Sequence, residues 1–422
     1  MKKYNSFERY IARQLSSLPY LKKKLKLFYQ YISYYLNNSS KNSYSSDYII
    51  KKFGQKNMES FFGYYDKCPV NSTNKYILWH ETLLSTKRNP NIEFPIYIIL
   101  ADLNGNEIFR FETNTYNWQQ GARLQWYKSN LFCFNNYIDK KYVAQIYDVS
   151  GNLINTINSP IMDTNSKRGI AVTVDFDRLY FLQPDYGYSN NHKYEYESCP
   201  KNDGLYIIDL EKDTKNLVMN FQQLIVKSYD HFHHLINHPM ISPNGEYCIF
   251  LHRMYKEVGG QRLDRVILLN LVNGSHEEII SVGMASHLIW YDNDTVFGYF
   301  RNNEGKDNFY FINIHEKKIN QVDIPLFEQT LEDGHPTVSM NNGLICFDTY
   351  PDKSRNQSLY LFNVNNNTIS QLAYFFHGFE YMDVSRCDLH PRFGVESNQI
   401  YFDSVFEGKR NFYLIDLNKS IE

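Results

Sequence analysis

Four histidines, His238, His287, His335 and His390, recur at intervals of 49, 48 and 55 residues. Each stands at the start of a short strand-like run, as in His238-Pro239-Met240-Ile241 and His390-Pro391-Arg392-Phe393. A neutral imidazole binds divalent transition metals, and the same ring moves protons near neutral pH. One histidine in such a place is commonly a buried structural residue. Four in the same place of successive units point to one shared site. Arginines accompany them: Arg386 and Arg392 flank His390, Arg253 follows the hairpin that begins at His238, and Arg123 opens an earlier unit. Guanidinium forks suit carboxylates and phosphates. Asp388 and Asp333 lie close enough in sequence to orient neighbouring imidazoles, and Asp388 can equally cap a turn. Tyrosines cluster in Phe61-Phe62-Gly63-Tyr64-Tyr65-Asp66 and Asp185-Tyr186-Gly187-Tyr188. Tyr64, Tyr65, Asp66 and Tyr188 are therefore candidates for stacking on sugar rings and bonding hydroxyls. Among 36 tyrosines, core packing serves any single one as well.

The elements that would position these groups form a repeat. After His238 the chain reads strand, Asn244-Gly245 turn, strand through Phe250, a third strand Arg265 to Leu271, an Asn273-Gly274 turn, and a fourth strand Glu277 to Ile280. Two hairpins joined by a loop make one four-stranded antiparallel sheet. The plan recurs after His287, His335 and His390, and a period near 50 residues is that of propeller blades. Three looser copies precede it: Phe61 to Leu103, Ala122 to Val149, and Gly169 through Leu179-Tyr180-Phe181 to Leu210. The expectation is an all-β, seven-bladed β-propeller over 47–422, behind a basic aromatic arm, 1–46, that is helical in part. The last unit lacks a fourth strand, which Asp47 to Lys52 can supply by closing the ring and removing two sheet edges. First strands line a propeller's axis, so the four histidines should meet there.

Composition narrows the function classes. Residues 1–36 hold eight Lys and Arg against Glu8, within a chain of net charge −2. A basic arm on a mildly acidic body suits a membrane surface and excludes a nucleic-acid-binding body. Leu21, Leu25, Phe28, Ile32 and Tyr35 share one helical face, as an interfacial helix requires. An arm packed on the propeller is the other reading. No secretory leader is recognisable, and six scattered cysteines without a CxxC pair read as small core residues. The expected location is cytoplasmic, with the arm on the inner face of the cytoplasmic membrane.

The His-Pro-x-x-Ser-Pro-Asn-Gly unit at 238–245, with His287, Gly334-His335-Pro336 and His390-Pro391-Arg392, resembles the propeller polysaccharide lyases of the oligogalacturonate and ulvan lyase type. The resemblance covers roughly 230–417. It implies that His287 and His335 ligate a divalent metal that binds a uronate carboxylate, with His238 or Arg253 near the scissile sugar. A second set of motifs spans nearly the whole chain: Phe62-Gly63-Tyr64-Tyr65-Asp66, Asp333-Gly334-His335-Pro336, Tyr350-Pro351-Asp352, Arg386-Cys387-Asp388-Leu389-His390-Pro391-Arg392 and Phe402-Asp403-Ser404-Val405-Phe406-Glu407-Gly408. It is similar to bacterial proteins of capsule and surface-polysaccharide gene clusters, often labelled glycosyltransferases. No α/β nucleotide-binding pattern accompanies it.

Three functions remain open at this level. A glycosyltransferase-type enzyme of surface-polysaccharide biosynthesis would use Arg123, Arg253 and Arg392 against donor phosphates. A lyase would eliminate at a uronic acid. A non-catalytic propeller would bind glycan or protein. The enzyme readings place His238, His335, His390, Arg392 and Asp388 in catalysis and Tyr64, Tyr65, Asp66, Arg123, Tyr188, Arg253 and Arg386 against a glycan or sugar-donor substrate. Metal binding, at His287 and His335, is one role open to the ring.

Overall fold

The computed structural model describes residues 19–37, 43–191, 196–225, 227–302, 304–325 and 333–420. Seven antiparallel sheets follow one another along the chain as the blades of one propeller. Blade one spans 59–113, blade two 125–157, blade three 163–220, blade four 233–283, blade five 285–321, blade six 336–376 and blade seven 392–420. First strands of neighbouring blades lie against each other, as Ala285–Trp290 does against Pro336–Ser339, and Pro336–Ser339 against Arg392–Phe393. They therefore line the axis.

Local chemistry sets the hairpins. In blades one and two the turn between third and fourth strands reads Asp-x-x-Gly-Asn. Asp102 Oδ1 accepts the Asn104 and Asn106 N–H groups, and Asp148 Oδ1 those of Ser150 and Asn152. Gly105 and Gly151 take positive φ, 91° and 84°, which a side chain would resist. Middle strands such as Ile96–Asp102 are apolar on both faces because each blade packs between two others. Val266, Leu268, Trp290 and Val296 join blades four and five in this way. Cys346, Phe375, Ile400 and Phe402 join six and seven.

The closing strand expected near Asp47–Lys52 is Tyr48–Phe53, paired antiparallel with Asn411–Ser420 as the outer strand of blade seven. Phe53 is buried, 5.4 Å from the Phe412 ring of blade seven and 5.7 Å from Trp79 of blade one. It holds the seam where the ring closes. Tyr44–Ser46 adds a fifth strand to blade six, and helix α1, Pro19–Asn37, packs nearby. The rest of the arm, 1–18 and 38–42, lies outside the described residues.

Blade three departs from expectation. Leu179-Tyr180-Phe181 is not a strand but part of helix α2, Phe176–Leu182, and the first two strands are Asp163–Asn165 and Ile170–Thr173. Asp175 decides this by capping the helix: its carboxylate accepts the Asp177 and Arg178 N–H groups. The buried face, Phe176, Leu179 and Leu182, then has helical rather than alternating spacing. All six cysteines are free, and all but Cys68 are buried.

Two consequences are measurable. Phe53→Ala opens a cavity at the seam and should cost about 3–5 kcal/mol of unfolding free energy by urea titration. The second concerns pH. Burial pushes His80 and His377 down to about 3 and His234 to about 4, from an ordinary 6.5. Folding thus favours the neutral rings, and their contribution is whole above pH 6.5 and lost as pH falls toward those values. The urea midpoint should be lower at about pH 5 than at about pH 7.5, most of the loss lying below about pH 6.5.

Candidate active site

The axis brings the four histidines together around two tyrosines. Ring centroids lie 3.9 Å apart for His287 and His335 and 4.3 Å for His335 and His390. Tyr64 fills the centre, stacked on His238 at 4.8 Å and edge-on to His390 at 4.9 Å. Tyr65 meets His287 and His335 at 5.9 and 5.5 Å. The Phe61-to-Asp66 segment that carries both tyrosines is held by blade seven. Asp403 accepts the Phe62 and Gly63 N–H groups, and Arg392 donates to the Gly63 and Tyr64 carbonyls.

Backbone strain marks the same places. His238 and His390 adopt φ of 51° and 46°, a region that non-glycine residues rarely enter, and Arg123 takes 53° at the start of blade two. At His238 the register slips between Asn237 and Met240, a bulge that turns the ring out of the ladder. Such conformations cost roughly 1–3 kcal/mol each and persist where surrounding structure over-determines them.

Three of the histidines are held alike. His287 Nδ1 meets Asp333 at 3.0 Å, His335 Nδ1 meets Asp348 at 2.9 Å, and His390 Nδ1 donates to the Gly63 carbonyl at 2.7 Å. Each Nδ1 therefore carries a proton, and in the neutral ring Nε2 is left as a lone pair. Among the described residues His335 Nε2 and His390 Nε2 are buried without a hydrogen-bond partner. Side-chain ligand atoms of His335, Asp388 and His390 all lie within 4.8 Å of one another. Two bare imidazole nitrogens and a carboxylate, with outer partners fixing the rings, are a donor set that fits a divalent metal. The pair expected from sequence, His287 and His335, shifts by one blade: His287 stands against the cluster, and Asp388 joins it as a ligand-grade group.

Charge follows the same geometry. Burial works against a proton on His335, but Asp348 outweighs it and raises the pKa. His390 is pushed well below its ordinary value by burial, then by His335 and Arg392. His287 is lowered by burial and His335 against the pull of Asp333. Asp388 resists burial and stays ionised because Arg386 and His335 face it.

His238 is held differently. Its Nε2 lies 2.9 Å from the Tyr64 hydroxyl and its Nδ1 3.4 Å from the Gln120 amide. Burial, then Arg253, drives its pKa well down, while burial and neighbouring phenols raise that of Tyr64. A neutral imidazole and a protonated phenol in contact form a base and an acid.

The other candidates divide. Arg253 reaches the ring's edge, bonded to Gln183 at 2.6 Å and ion-paired to Asp264 at 3.3 Å. Arg386 bonds Asp388, Asp185 and the Tyr186 hydroxyl. Arg123 and Asp66 pair with each other beneath the ring, where Arg123 and Lys67 overcome burial to hold Asp66 at about 2. Arg392 is a clamp on Gly63 and Asp403 rather than a group facing the axis. Tyr188 does not join the ring: it stacks on Phe176 at 4.3 Å and bonds Asn135, because Gly187 packs flush on helix α2. Its neighbour Tyr186 takes the place, 4.9 Å from His238.

Sequence reasoning missed Asp348, Gln120, Gln183 and Tyr186. A signal existed for Asp348: Phe347-Asp348 ends the second strand of blade six, and Phe402-Asp403 lies one residue from the end of the second strand of blade seven. A cavity of about 190 Å³ near Gln223, Arg265 and Glu278 lies on the flank of blade four and includes none of these groups. At the axis itself His335 is only 1% exposed.

No family model and no characterised protein matches the chain in sequence. Solved structures do match in fold. An oligogalacturonate lyase in complex with manganese superposes with a TM-score of 0.62 at 14% identity, over 90% of this chain and 94% of that one. An oligogalacturonate lyase from Vibrio parahaemolyticus gives 0.57 at 14% identity, over 89% and 98%. At this identity the likeness establishes a shared propeller.

Manganese titrated into the purified chain by calorimetry should bind at one site. His335→Ala, His390→Ala and Asp388→Asn should abolish the heat of binding. Asp348→Asn should weaken affinity about 10–100-fold by freeing the His335 ring, and Tyr64→Phe should leave it unchanged.

Proposed function

We propose that the protein is a metal-dependent lyase that cleaves uronate-containing glycans by β-elimination. One observation carries this reading: the bare His335 and His390 nitrogens and the Asp388 carboxylate converge beside a neutral His238 bonded to a protonated Tyr64. The manganese-bound oligogalacturonate lyase of the same fold supports it. Glycosyl transfer draws no such support from the sheet topology, which among the described residues is antiparallel and shows no parallel, phosphate-binding crossover of the nucleotide-sugar type.

A divalent cation held by His335, His390 and Asp388 would neutralise the uronate carboxylate and so acidify the proton on C5. His238 accepts that proton as the C4–C5 double bond forms. Tyr64 gives its own proton to the oxygen leaving C4. The two groups are 2.9 Å apart, so they act from one face of the sugar, a syn elimination. The proton on His238 then passes along the same hydrogen bond to Tyr64, and the pair is reset with no net change. Gln120 faces His238 Nδ1 with its amide nitrogen. Arg253, buried beside His238, keeps that ring neutral and ready to accept. Burial of the whole set strengthens each of these contacts.

The assay follows the ultraviolet absorbance of the unsaturated product with manganese-loaded protein on galacturonate, glucuronate and iduronate oligomers. Activity on the glucuronate oligomer is expected, because C5–H and C4–O lie on one face of that sugar and on opposite faces of the other two. Tyr64→Phe and His238→Ala should each lower kcat by about 10²–10⁴-fold, the range for positioned acid–base groups, with manganese affinity intact. A metal-loaded, folded protein that yields unsaturated product from none of these polymers overturns the reading.

A further inference from the structure

We infer that helix α1 seats the propeller on an anionic lipid surface, with the histidine end of the ring beside that surface. The inference is independent of the reaction assigned above.

Among the described residues one face of the helix packs on the propeller, and another, richer in apolar side chains, is turned outward. Ser33 is buried, and Leu27, Gln30, Tyr34 and Asn37 are half-buried against blade six. Tyr31 stacks on Phe379 at 4.1 Å, Tyr34 lies 5.6 Å from Phe376, and Ser354 donates to the Asn37 carbonyl. On the opposite side Leu25, Phe28, Tyr29, Ile32, Tyr35 and Leu36 recur at helical spacing and are exposed, Phe28 at 65%, Tyr35 at 80% and Leu36 at 77%. A docked helix normally turns polar residues outward. This one turns out a stripe of aromatic and aliphatic side chains.

Charge selects what covers the stripe. Pro19–Asn37 contains Lys22, Lys23, Lys24 and Lys26 and no acidic residue. A protein groove that accepted the stripe would need no such excess, whereas an anionic lipid surface attracts each lysine while its interface accepts Phe, Tyr and Leu. Tyrosines suit that depth, with the ring in the acyl boundary and the hydroxyl among headgroups. The helix is not long and apolar enough to cross a bilayer. It would lie in the interface.

Position adds a consequence. Ser354, Phe376 and Phe379 lie at the end of blade six that also holds His335 and Asp348, since the second strand ends at Asp348 and the fourth at Phe376. The lipid-facing stripe and the mouth of the histidine ring thus share one side of the molecule. A substrate tethered to, or emerging at, a membrane surface would meet the ring there.

Flotation of the full chain with phosphatidylglycerol–phosphatidylcholine vesicles and with phosphatidylcholine alone tests this. Binding to the anionic vesicles should be at least about tenfold stronger and weaken with salt. The double variant Phe28→Ser/Ile32→Ser should lose about tenfold or more, and Lys23→Gln/Lys24→Gln should lose the preference for anionic lipid. The Phe28→Ser/Ile32→Ser variant should unfold at the same temperature as the parent, because both side chains lie on the exposed face. Equal partition to both vesicle types overturns the inference. So does a concentration-dependent dimer that Phe28→Ser/Ile32→Ser abolishes without any change in flotation, which would assign the stripe to a second copy of the chain.

Discussion

One carboxylate fixes the geometry of the centre. Asp348 Oδ1 accepts both the backbone N–H and the Nδ1–H of His335, at 2.7 and 2.9 Å, and Oδ2 accepts the backbone N–H of His390 at 2.9 Å. Asp348 belongs to blade six and His390 to the strand that opens blade seven, so a single buried ion sets the distance between two blades at the axis. Asp403, one blade on, repeats the device: it binds the Phe62 and Gly63 N–H groups that follow the first strand of blade one and the Arg392 guanidinium. Desolvating a carboxylate is expensive unless its lone pairs are filled. Here some are filled within the blade, by His335 and Arg392, and the rest by groups from the next blade, so the cost is fully recovered only when the ring is closed. The same closure that positions the histidines is what makes these buried charges tolerable.

Closure also explains the tyrosines. The Phe61-to-Asp66 segment follows directly from the first strand of blade one, Glu59–Phe61, yet its anchors, Asp403 and Arg392, come from the last blade, some 340 residues later. With Phe53 packing across the same seam, the chain's two ends are tied at the point where Tyr64 enters the ring. A propeller without this seam would leave His238 with no phenol to bond. Site and ring closure are one structural event.

Much of this could be read in the sequence, and the failures have physical causes. The histidines were legible because equivalent positions in a repeat converge, whatever the side chains do. The blade period was legible because hairpin turns and apolar strands impose alternation. Blade three misled because Leu179-Tyr180-Phe181 has the β-like composition of a strand, while a single capping aspartate four residues earlier, Asp175, starts a helix. Tyr188 and Tyr186 differ by two positions in a loop, and only packing against Gly187 and helix α2 decides which one faces the axis. Spacing cannot supply that. Asp388 was not legible as a candidate ligand for a related reason: His287, His335 and His390 are equivalent by repeat, but Asp388 reaches in from the loop before blade seven, where no period constrains it.

The deepest distinction within the ring is one of tautomer. His287, His335 and His390 each give Nδ1 to an acceptor of the scaffold, and among the described residues His335 and His390 keep Nε2 without a hydrogen-bond partner. His238 has no carboxylate on Nδ1; it meets an amide there and a phenol on Nε2. A ring locked by a carboxylate or carbonyl cannot exchange its proton without breaking that bond, so it serves as a fixed electron-pair donor. A ring between an amide and a phenol can carry its proton on either nitrogen at little cost. Four equivalent positions in the repeat have thus been given two chemistries by their second partners alone. The repeat brings the imidazoles to one place, and the non-repeating loops decide which hold still and which move a proton.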